Sequence, residues 1–134
     1  MRDISIVFGT YNRFKMLKAC VESVRKSVGE LDYEIIIVDG GSDDGTREWL
    51  IEHKDIIPVL DNRLEGAIRA FNKGFNIAQG KYVVNLNDDL LVEDDAIEVA
   101  YKYMEEHPGC GQGAFYFRME KDKRYRVEYA FDKV

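Results

Sequence analysis

The sequence predicts an α/β protein of three layers, in which helices cover both faces of a mainly parallel sheet and an antiparallel hairpin follows. Apolar segments of strand length alternate with segments of helical periodicity up to residue 107. Several strand segments are short, continuous apolar runs, which are typical of parallel strands buried on both faces. After Gly109 the pattern changes to two strand segments around a charged turn. This order predicts β-α-β units with right-handed crossovers.

The first half of the chain contains two predicted strands, a long helix and a short helix. The strands span Ile4–Phe8 and Tyr33–Val38. Between them, apolar residues recur at helical spacing from Phe14 for about four turns, and Gly29 ends that helix. Thr46 is predicted to cap the short helix.

The middle of the chain adds two strands on either side of a helix. Ile56–Leu60 is predicted as an edge strand because Pro58 cannot donate to a sheet ladder. A helix runs from Ala67 to Gly80, and the strand Tyr82–Leu86 is rich in β-branched and aromatic residues. The aromatic residues of the two central helices are predicted to be core: Trp49, Phe71 and Phe75.

The last part of the chain contains a helix and the hairpin. Asp94 or Asp95 is predicted to cap the helix, which stops at His107–Pro108. The hairpin has three predicted pieces, namely the strand Ala114–Met119, the turn Lys121–Lys123 and the strand Tyr125–Phe131.

Composition limits the classes of function. The 134 residues fit a single domain, 1–134, that can bury its own core. A net charge of -6 argues against a surface built to hold nucleic acid. An anionic ligand therefore needs a metal ion or a local cluster of basic residues.

The expected location is cytoplasmic. Cys20 and Cys110 are isolated and suit a reducing compartment. No apolar run is long enough for a membrane-spanning helix. We expect no signal peptide, because Met1–Ile4 leads directly into a strand.

Three polar clusters directly follow three of the predicted strands. They are Thr10–Arg13, Asp39–Asp44 and Asn87–Asp89. Because the carboxyl ends of parallel strands share one rim, where open α/β sheets bind ligands, we expect the clusters to form one site.

The cluster Asn87–Asp89 carries three closely spaced oxygen donors. Such donors suit Mg²⁺ or Mn²⁺, which proteins hold by one or two carboxylates together with substrate phosphates. The working hypothesis is a metal diphosphate at this strand end. An acidic turn that caps the next helix is the alternative.

The other clusters are compatible with the rest of a nucleotide. Asp39 can accept a hydrogen bond from a base N–H, and Tyr11 can pack on a base or ribose, or can cover the core edge. Gly40 and Gly41 permit close approach of a ligand. Asp43–Asp44 is interpreted as turn and cap residues.

Three basic residues are candidate phosphate contacts, with solvated helix charges as the alternative: Arg13, Arg69 and Lys73. His53 and His107 are assigned no catalytic role.

Taken together, the segments resemble the N-terminal, nucleotide-sugar-binding half of family 2 glycosyltransferases, which have the Rossmann-like GT-A fold. Ile4–Arg13 resembles the family's first strand and its Thr-Tyr-Asn-Arg end, and Ile35–Thr46 its Val-Asp-x-x-Ser-x-Asp-x-Thr segment. Gly66–Tyr82 has the spacing of its Gly…Asn-x-Gly…Ala-x-Gly-x-Tyr helix, and Leu86–Asp89 falls on its metal-binding Asp-x-Asp position.

The resemblance implies a role for each matching residue. Asp39 contacts the base, Asp88 lies near the ribose or sugar, and Asp89 with Asn87 holds Mn²⁺ or Mg²⁺. The other implied donor-pocket residues are Thr10, Tyr11, Asn12, Arg13, Gly41 and Ser42. Two positions depart from the family pattern: Asn87 is a neutral ligand, and Phe71 stands where Arg is common.

The implied activity is metal-assisted, inverting transfer of a sugar from a nucleotide-diphosphate sugar to a saccharide, lipid or protein acceptor. Family members often act at the inner membrane face, which implies peripheral membrane association. No residue after Gly109 is assigned as the general base, because Glu120, Asp122 and Glu128 are charges of a hairpin. A nucleotide-diphosphate-binding module without transfer activity remains open. A nucleotidyltransferase is disfavoured, since no glycine-rich basic loop lies near the N-terminus.

Overall fold

The computed structural model describes residues 1–119 and 125–129 of the protein. Its strands are β1 (Arg2–Thr10), β2 (Tyr33–Asp39), β3 (Ile56–Leu60), β4 (Gly80–Asn87), β5 (Leu90–Val92), β6 (Phe115–Met119) and β7 (Tyr125–Tyr129). Its helices are α1 (Phe14–Ser27), α2 (Thr46–Glu52), α3 (Ala67–Ile77) and α4 (Ala96–Glu106).

The chain divides into two compact units. The first unit contains residues 1–18 and 32–88, and the second contains 19–31 and the described residues from 89 onward. The expectation of one domain therefore stays a prediction. None of the helices in the described part of the chain is both long and apolar enough to span a bilayer.

The first unit contains a four-stranded sheet in the order β3-β2-β1-β4. All three strand pairs are parallel, as predicted. The register places Thr10 beside Asp39 and Gly9 beside Asn87. The carboxyl ends of the three strands that precede the polar clusters are therefore level with one another.

The central strands explain the continuous apolar runs in the sequence. Ile6, Val7 and Phe8 of β1 are all fully buried, as are Ile35–Ile37 of β2. Successive strand residues point to opposite faces, so burial of every residue means that both faces are covered. The predicted α/β class is confirmed, and Pro58 lies on the edge strand β3 as expected.

Helix α3 approaches the sheet through its small residues. A Cβ at Gly9 would lie 3.1 Å from the Cβ of Ala70, and a Cβ at Gly74 would collide with the side chain of Val7. Because α3 lies so close to the sheet at these positions, a larger apolar residue of the helix is placed away from the sheet. Phe75 is 42% exposed and stacks on Phe71, so the prediction that Phe75 belongs to the core is wrong.

The second unit contains a three-stranded sheet in the order β5-β7-β6. Strands β6 and β7 pair antiparallel, which confirms the predicted hairpin. The predicted turn Lys121–Lys123 and the end of the predicted strand, residues 130–131, lie outside the described residues. Strand β5, which pairs parallel with β7, was not predicted. Its three residues are too few to show a strand periodicity.

Two serines of α1 satisfy backbone amides in the second unit. Ser27 accepts a hydrogen bond from the amide of Ile97, and Ser23 accepts one from the amide of Val92. Asp95 occupies the N-cap position of α4, but its side chain makes no capping hydrogen bond there. The prediction that Asp94 or Asp95 caps α4 is thus right in position only, because a serine from another helix satisfies the amide.

Candidate functional site

The strand order changes direction between β1 and β4, because β2 and β3 lie on one side of β1 and β4 on the other. In open α/β sheets, ligands bind outside the strand carboxyl ends at such a point. Thr10 ends β1, and Asp88 directly follows β4. The Thr10 hydroxyl donates a hydrogen bond of 2.8 Å to Oδ2 of Asp88, and both residues are buried.

The second oxygen of Asp88 faces Arg13. Nη1 of Arg13 lies 3.3 Å from Oδ1 of Asp88, and about half of the Arg13 side chain is exposed. Both carboxylate oxygens therefore have partners from the first polar cluster. The structure places Arg13 at the rim as the ion-pair partner of Asp88, and its role as a phosphate contact stays a prediction.

Two short hydrogen bonds join the first two polar clusters. The amide of Asn12 donates to Oγ of Ser42, and the amide of Asp43 donates to Oδ1 of Asn12, both at 2.9 Å. Asn12 has a φ of 48°, in the left-handed region that asparagine adopts more readily than most residues. The predicted residues Asn12 and Ser42 are thus brought together by their own contacts.

Asp44 fixes the start of two helices. Its Oδ2 accepts from the amide of Phe14 at the start of α1, and its Oδ1 accepts from the amide and hydroxyl of Thr46. The interpretation of Asp44 as a turn and cap residue is confirmed. The prediction that Thr46 caps α2 is wrong, because Gly45 holds the N-cap position and Thr46 is the first helical residue.

Partial desolvation alone would raise the pKa of the Asp44 carboxyl. The hydrogen bonds from Thr46 and Phe14 outweigh it and hold the pKa of Asp44 below its ordinary value. The hydrogen bonds of this loop therefore stabilise the charged form of Asp44.

Asp39, the last residue of β2, is fully buried, and its two oxygens differ in their partners. Oδ2 accepts from the amides of Gly41 and Ser42, each at 3.0 Å, and from Nη1 of Arg47 at 3.2 Å. Oδ1 is buried and has no hydrogen-bond partner among the described residues. Because an unsatisfied buried acceptor is costly, this oxygen is able to accept a hydrogen bond from a donor outside the described residues.

Arg47 is a site residue that the sequence did not reveal. Its Nη1 also donates to the carbonyl oxygen of Asp61 at 2.6 Å. The amide of Asp61 in turn donates to the carbonyl oxygen of Asp39. Arginine one position inside a helix is usually a solvated charge, so its only sequence signal was its closeness to the Asp39–Asp44 loop.

Lys73 binds acidic residues of the segment before α3. Its Nζ lies 2.7 Å from Oδ2 of Asp61 and 3.2 Å from Oε2 of Glu65. The hydrogen bond to Asp61 raises the pKa of the Lys73 ammonium, and the hydrogen bond from Lys73 lowers the pKa of Glu65. Arg69 is mostly exposed and only 4.0 Å from Glu65. The structure therefore gives Lys73 and Arg69 carboxylate partners, and their phosphate contacts stay predictions.

Tyr11 lies between Thr10 and Asn12 with 42% of its surface exposed. Tyr11 is therefore partly accessible at the rim of the sheet. The alternative interpretation, that Tyr11 covers the core edge, agrees less well with so large an exposed fraction.

The expected metal ligands occupy the end of β4 and the residues beyond it. Asn87 is the exposed last residue of β4, and Asp89, which is half-buried, follows Asp88 in the chain. Among the described residues no three His, Cys, Asp or Glu side chains are grouped to hold a metal. Two oxygen donors with diphosphate oxygens nevertheless suit Mg²⁺ or Mn²⁺, so the residues present are compatible with the ion.

Comparison with known proteins gives one family. A sequence model described as Glycosyl transferase family 2 matches residues 5–132. The glycosyltransferase GlyG of Streptococcus pneumoniae is 34% identical over 111 residues, which are 77% of this chain and 35% of GlyG.

Two solved structures have a similar fold. TarS 1-349 of S. aureus, in complex with UDP-GlcNAc, superposes with a TM-score of 0.72 at 19% identity, over 79% of this chain and 32% of TarS 1-349. The mannosyltransferase PcManGT of Pyrobaculum calidifontis, in complex with GDP-Man and Mn²⁺, gives 0.64 at 20% identity, over 86% of this chain and 36% of PcManGT. The predicted GT-A type of fold is thereby confirmed, and the chain spans about a third of the length of GlyG and of PcManGT.

Proposed function

Because the chain belongs to glycosyl transferase family 2, we propose that it forms the donor-binding part of a glycosyltransferase. The enzyme would transfer a sugar from a nucleotide-diphosphate sugar to an acceptor, with inversion at the anomeric carbon. The observation that carries this proposal is Oδ1 of Asp39, which is buried at the carboxyl rim of the sheet and has no partner among the described residues. TarS and PcManGT, which share the fold, are complexed with UDP-GlcNAc and GDP-Man.

The unpartnered oxygen predicts the kind of base. A carboxylate oxygen only accepts hydrogen bonds, so it favours a base with a ring N–H. Uracil, thymine and guanine carry such a donor, whereas cytosine and adenine have an unprotonated ring nitrogen at the equivalent position. We therefore expect Asp39 to select UDP, dTDP or GDP against CDP and ADP.

Residues near the point where the strand order changes direction, between β1 and β4, would hold the rest of the donor. Thr10 and Arg13 fix the carboxylate of Asp88, which in this proposal lies near the ribose or the sugar. Tyr11, which is 42% exposed, would pack its ring on a base or ribose. Gly41 and Ser42, whose amides donate to Asp39, would line the proposed pocket.

A divalent cation, Mn²⁺ or Mg²⁺, completes the proposed donor site. Asp89 and Asn87 would hold it together with the diphosphate oxygens. When bound, the ion offsets the negative charge of the nucleoside diphosphate as it leaves. The net charge of -6 supports this part of the proposal, since the chain otherwise offers an anionic donor little attraction.

The acceptor half of the reaction is proposed only as a class. The acceptor is a saccharide, lipid or protein, and none of the described residues is assigned as the general base. Because the chain spans only about a third of the length of GlyG, a nucleotide-diphosphate-binding module without transfer activity of its own is the second candidate. We also propose that the whole enzyme is located in the cytoplasm and associates peripherally with the inner face of the membrane.

Calorimetric titration of the purified chain tests the donor site. UDP, GDP, dTDP, CDP and ADP are titrated in Mn²⁺ and again in EDTA. The proposal expects one or more of the first three to bind in Mn²⁺ and to bind more weakly in EDTA. If none of the five nucleotides binds, or if CDP or ADP binds best, the proposed site is wrong. Release of free UDP or GDP from a sugar donor by the chain would distinguish an enzyme from a binding module.

A further inference from the structure

We propose that Arg47 is a positioning residue for the nucleobase and acts through Asp39. The inference rests on the proposed function and adds a residue to it that is absent from the set expected from the sequence. Arg47 would determine which oxygen of Asp39 meets the base, and so how strongly the site selects a base with a ring N–H.

The guanidinium of Arg47 makes two hydrogen bonds. One nitrogen, Nη1, lies 3.2 Å from Oδ2 of Asp39 and 2.6 Å from the carbonyl oxygen of Asp61. The side chain is about three-quarters buried. The planar guanidinium has a rigid set of donors, so two fixed acceptors leave it little freedom to turn.

The contact adds to the difference between the two oxygens of Asp39. Oδ2 receives three donors, from Gly41, Ser42 and Arg47, whereas Oδ1 receives none within the described chain. The terminal torsion of an aspartate has a broad energy profile, so two amide hydrogen bonds alone fix it weakly. The third donor, Nη1 of Arg47, further limits rotation of the carboxylate, and we expect it to keep Oδ1 oriented toward the base.

The backbone around Asp39 does not depend on Arg47. The amide of Asp61 already donates to the carbonyl oxygen of Asp39 at 2.9 Å, and β2 and β3 are paired in register up to Asp39 and Leu60. Removing the guanidinium therefore leaves the two strand ends joined. We expect the protein to stay folded while the Asp39 carboxylate loses its fixed orientation. Selectivity for a base with a ring N–H is then lower.

The test compares the base selectivity of Arg47→Ala and Arg47→Lys with that of the wild-type chain. Glu48→Ala is the matched control, because Glu48 is the exposed next residue of α2. Affinities for UDP and CDP, and for GDP and ADP, are measured by calorimetry in Mn²⁺, and thermal unfolding of each variant is recorded. The readout is the ratio of affinities within each pair, which a general loss of stability does not change.

Wild type and Glu48→Ala are expected to prefer UDP over CDP, or GDP over ADP, by at least about tenfold. Arg47→Ala is expected to reduce the ratio to about threefold or less. Arg47→Lys keeps the charge but has no planar fork, so its ratio is expected to lie between the two.

The outcomes separate the inference from the function on which it rests. If the wild-type chain binds no nucleoside diphosphate, the proposed function fails. If the wild-type chain discriminates and a folded Arg47→Ala discriminates equally well, the inference is overturned and the function stands. If Arg47→Ala does not fold, Arg47→Lys decides: a reduced ratio supports the inference, and an unchanged ratio overturns it.

Discussion

The hydroxyl of Thr10 donates a 2.8 Å hydrogen bond to Oδ2 of Asp88, so a side chain contact joins the carboxyl ends of β1 and β4. The two residues are 78 positions apart in the chain and both are buried. The bond crosses the point where the strand order changes direction, which is where a ligand of this fold is expected. The hydrogen bond therefore orients the carboxylate of Asp88 at the rim of the sheet.

Thr10→Val tests that orientation. Valine has nearly the shape of threonine but donates no hydrogen bond, so a buried carboxylate oxygen loses this hydrogen bond. We expect the free energy of unfolding to fall by about 1–3 kcal/mol, measured by urea denaturation. Thr10→Ser keeps the hydroxyl and is the control. Equal stability of Thr10→Val and wild type would show that the bond contributes nothing.

Asp44→Asn tests the loop that starts α1 and α2. The loss of a charged cap that accepts from Phe14 and Thr46 is expected to cost about 1 kcal/mol near neutral pH. The folded pKa of Asp44 is lowered, so its contribution is present above the ordinary carboxyl pKa of about 3.9. That contribution is lost as the pH falls through the lower, folded pKa.

Urea denaturation between about pH 7 and pH 2 makes this comparison. The stability difference between wild type and Asp44→Asn should shrink as the pH falls below the ordinary carboxyl value. Asp43→Asn, which changes a neighbouring exposed carboxyl, is the control. A difference that stays constant down to the lowest pH would contradict the assigned charge of Asp44.

Asp39→Asn should change which base the site prefers. The amides of Gly41 and Ser42 and the guanidinium of Arg47 all require an acceptor at the position of Oδ2. The asparagine oxygen will occupy that position, so its NH₂ group takes the place of Oδ1. A donor there favours the unprotonated ring nitrogen of cytosine over uracil.

The measurement is the ratio of UDP to CDP affinity, which we expect to move toward CDP by about tenfold or more. Asp39→Ala should weaken binding without favouring either base and serves as the control. An Asp39→Asn protein with the wild-type ratio would place the base elsewhere.

Asp89→Ala tests the proposed metal ligand. Removing its carboxylate should abolish the part of the nucleotide affinity that depends on Mn²⁺ while the protein stays folded. Titration with and without EDTA measures that part directly. Asp94→Ala, a carboxylate a few residues further along the chain, is the control. Mn²⁺-dependent affinity that survives in Asp89→Ala would remove Asp89 from the site.

The sequence predicted the features of the molecule that a recurring pattern of apolar and polar residues encodes. The apolar runs around Ile6 and Ile36 gave the parallel sheet, and the polar clusters after β1, β2 and β4 gave the rim on which Thr10, Asp39 and Asp88 lie. These features follow from the order of strands and helices, which the periodicity of apolar residues along the chain predicts well.

The parts it missed depend on a single contact. Arg47 matters because one guanidinium meets both Asp39 and Asp61, which no spacing reveals. Phe75 is exposed because Gly74 and Ala70 let α3 approach the sheet through small residues. In each case tertiary packing, rather than local preference, decides the outcome.

The central claim is that Oδ1 of Asp39 accepts a hydrogen bond from the ring N–H of the donor base. Its most direct test uses the nucleotide that binds, UDP or GDP, and the analogue methylated at that ring nitrogen, N3 of uracil or N1 of guanine. Calorimetry in Mn²⁺ should show that the methylated nucleotide binds wild type at least about tenfold more weakly, and that Asp39→Ala binds both nucleotides equally. Equal affinity of wild type for the two nucleotides would contradict the claim.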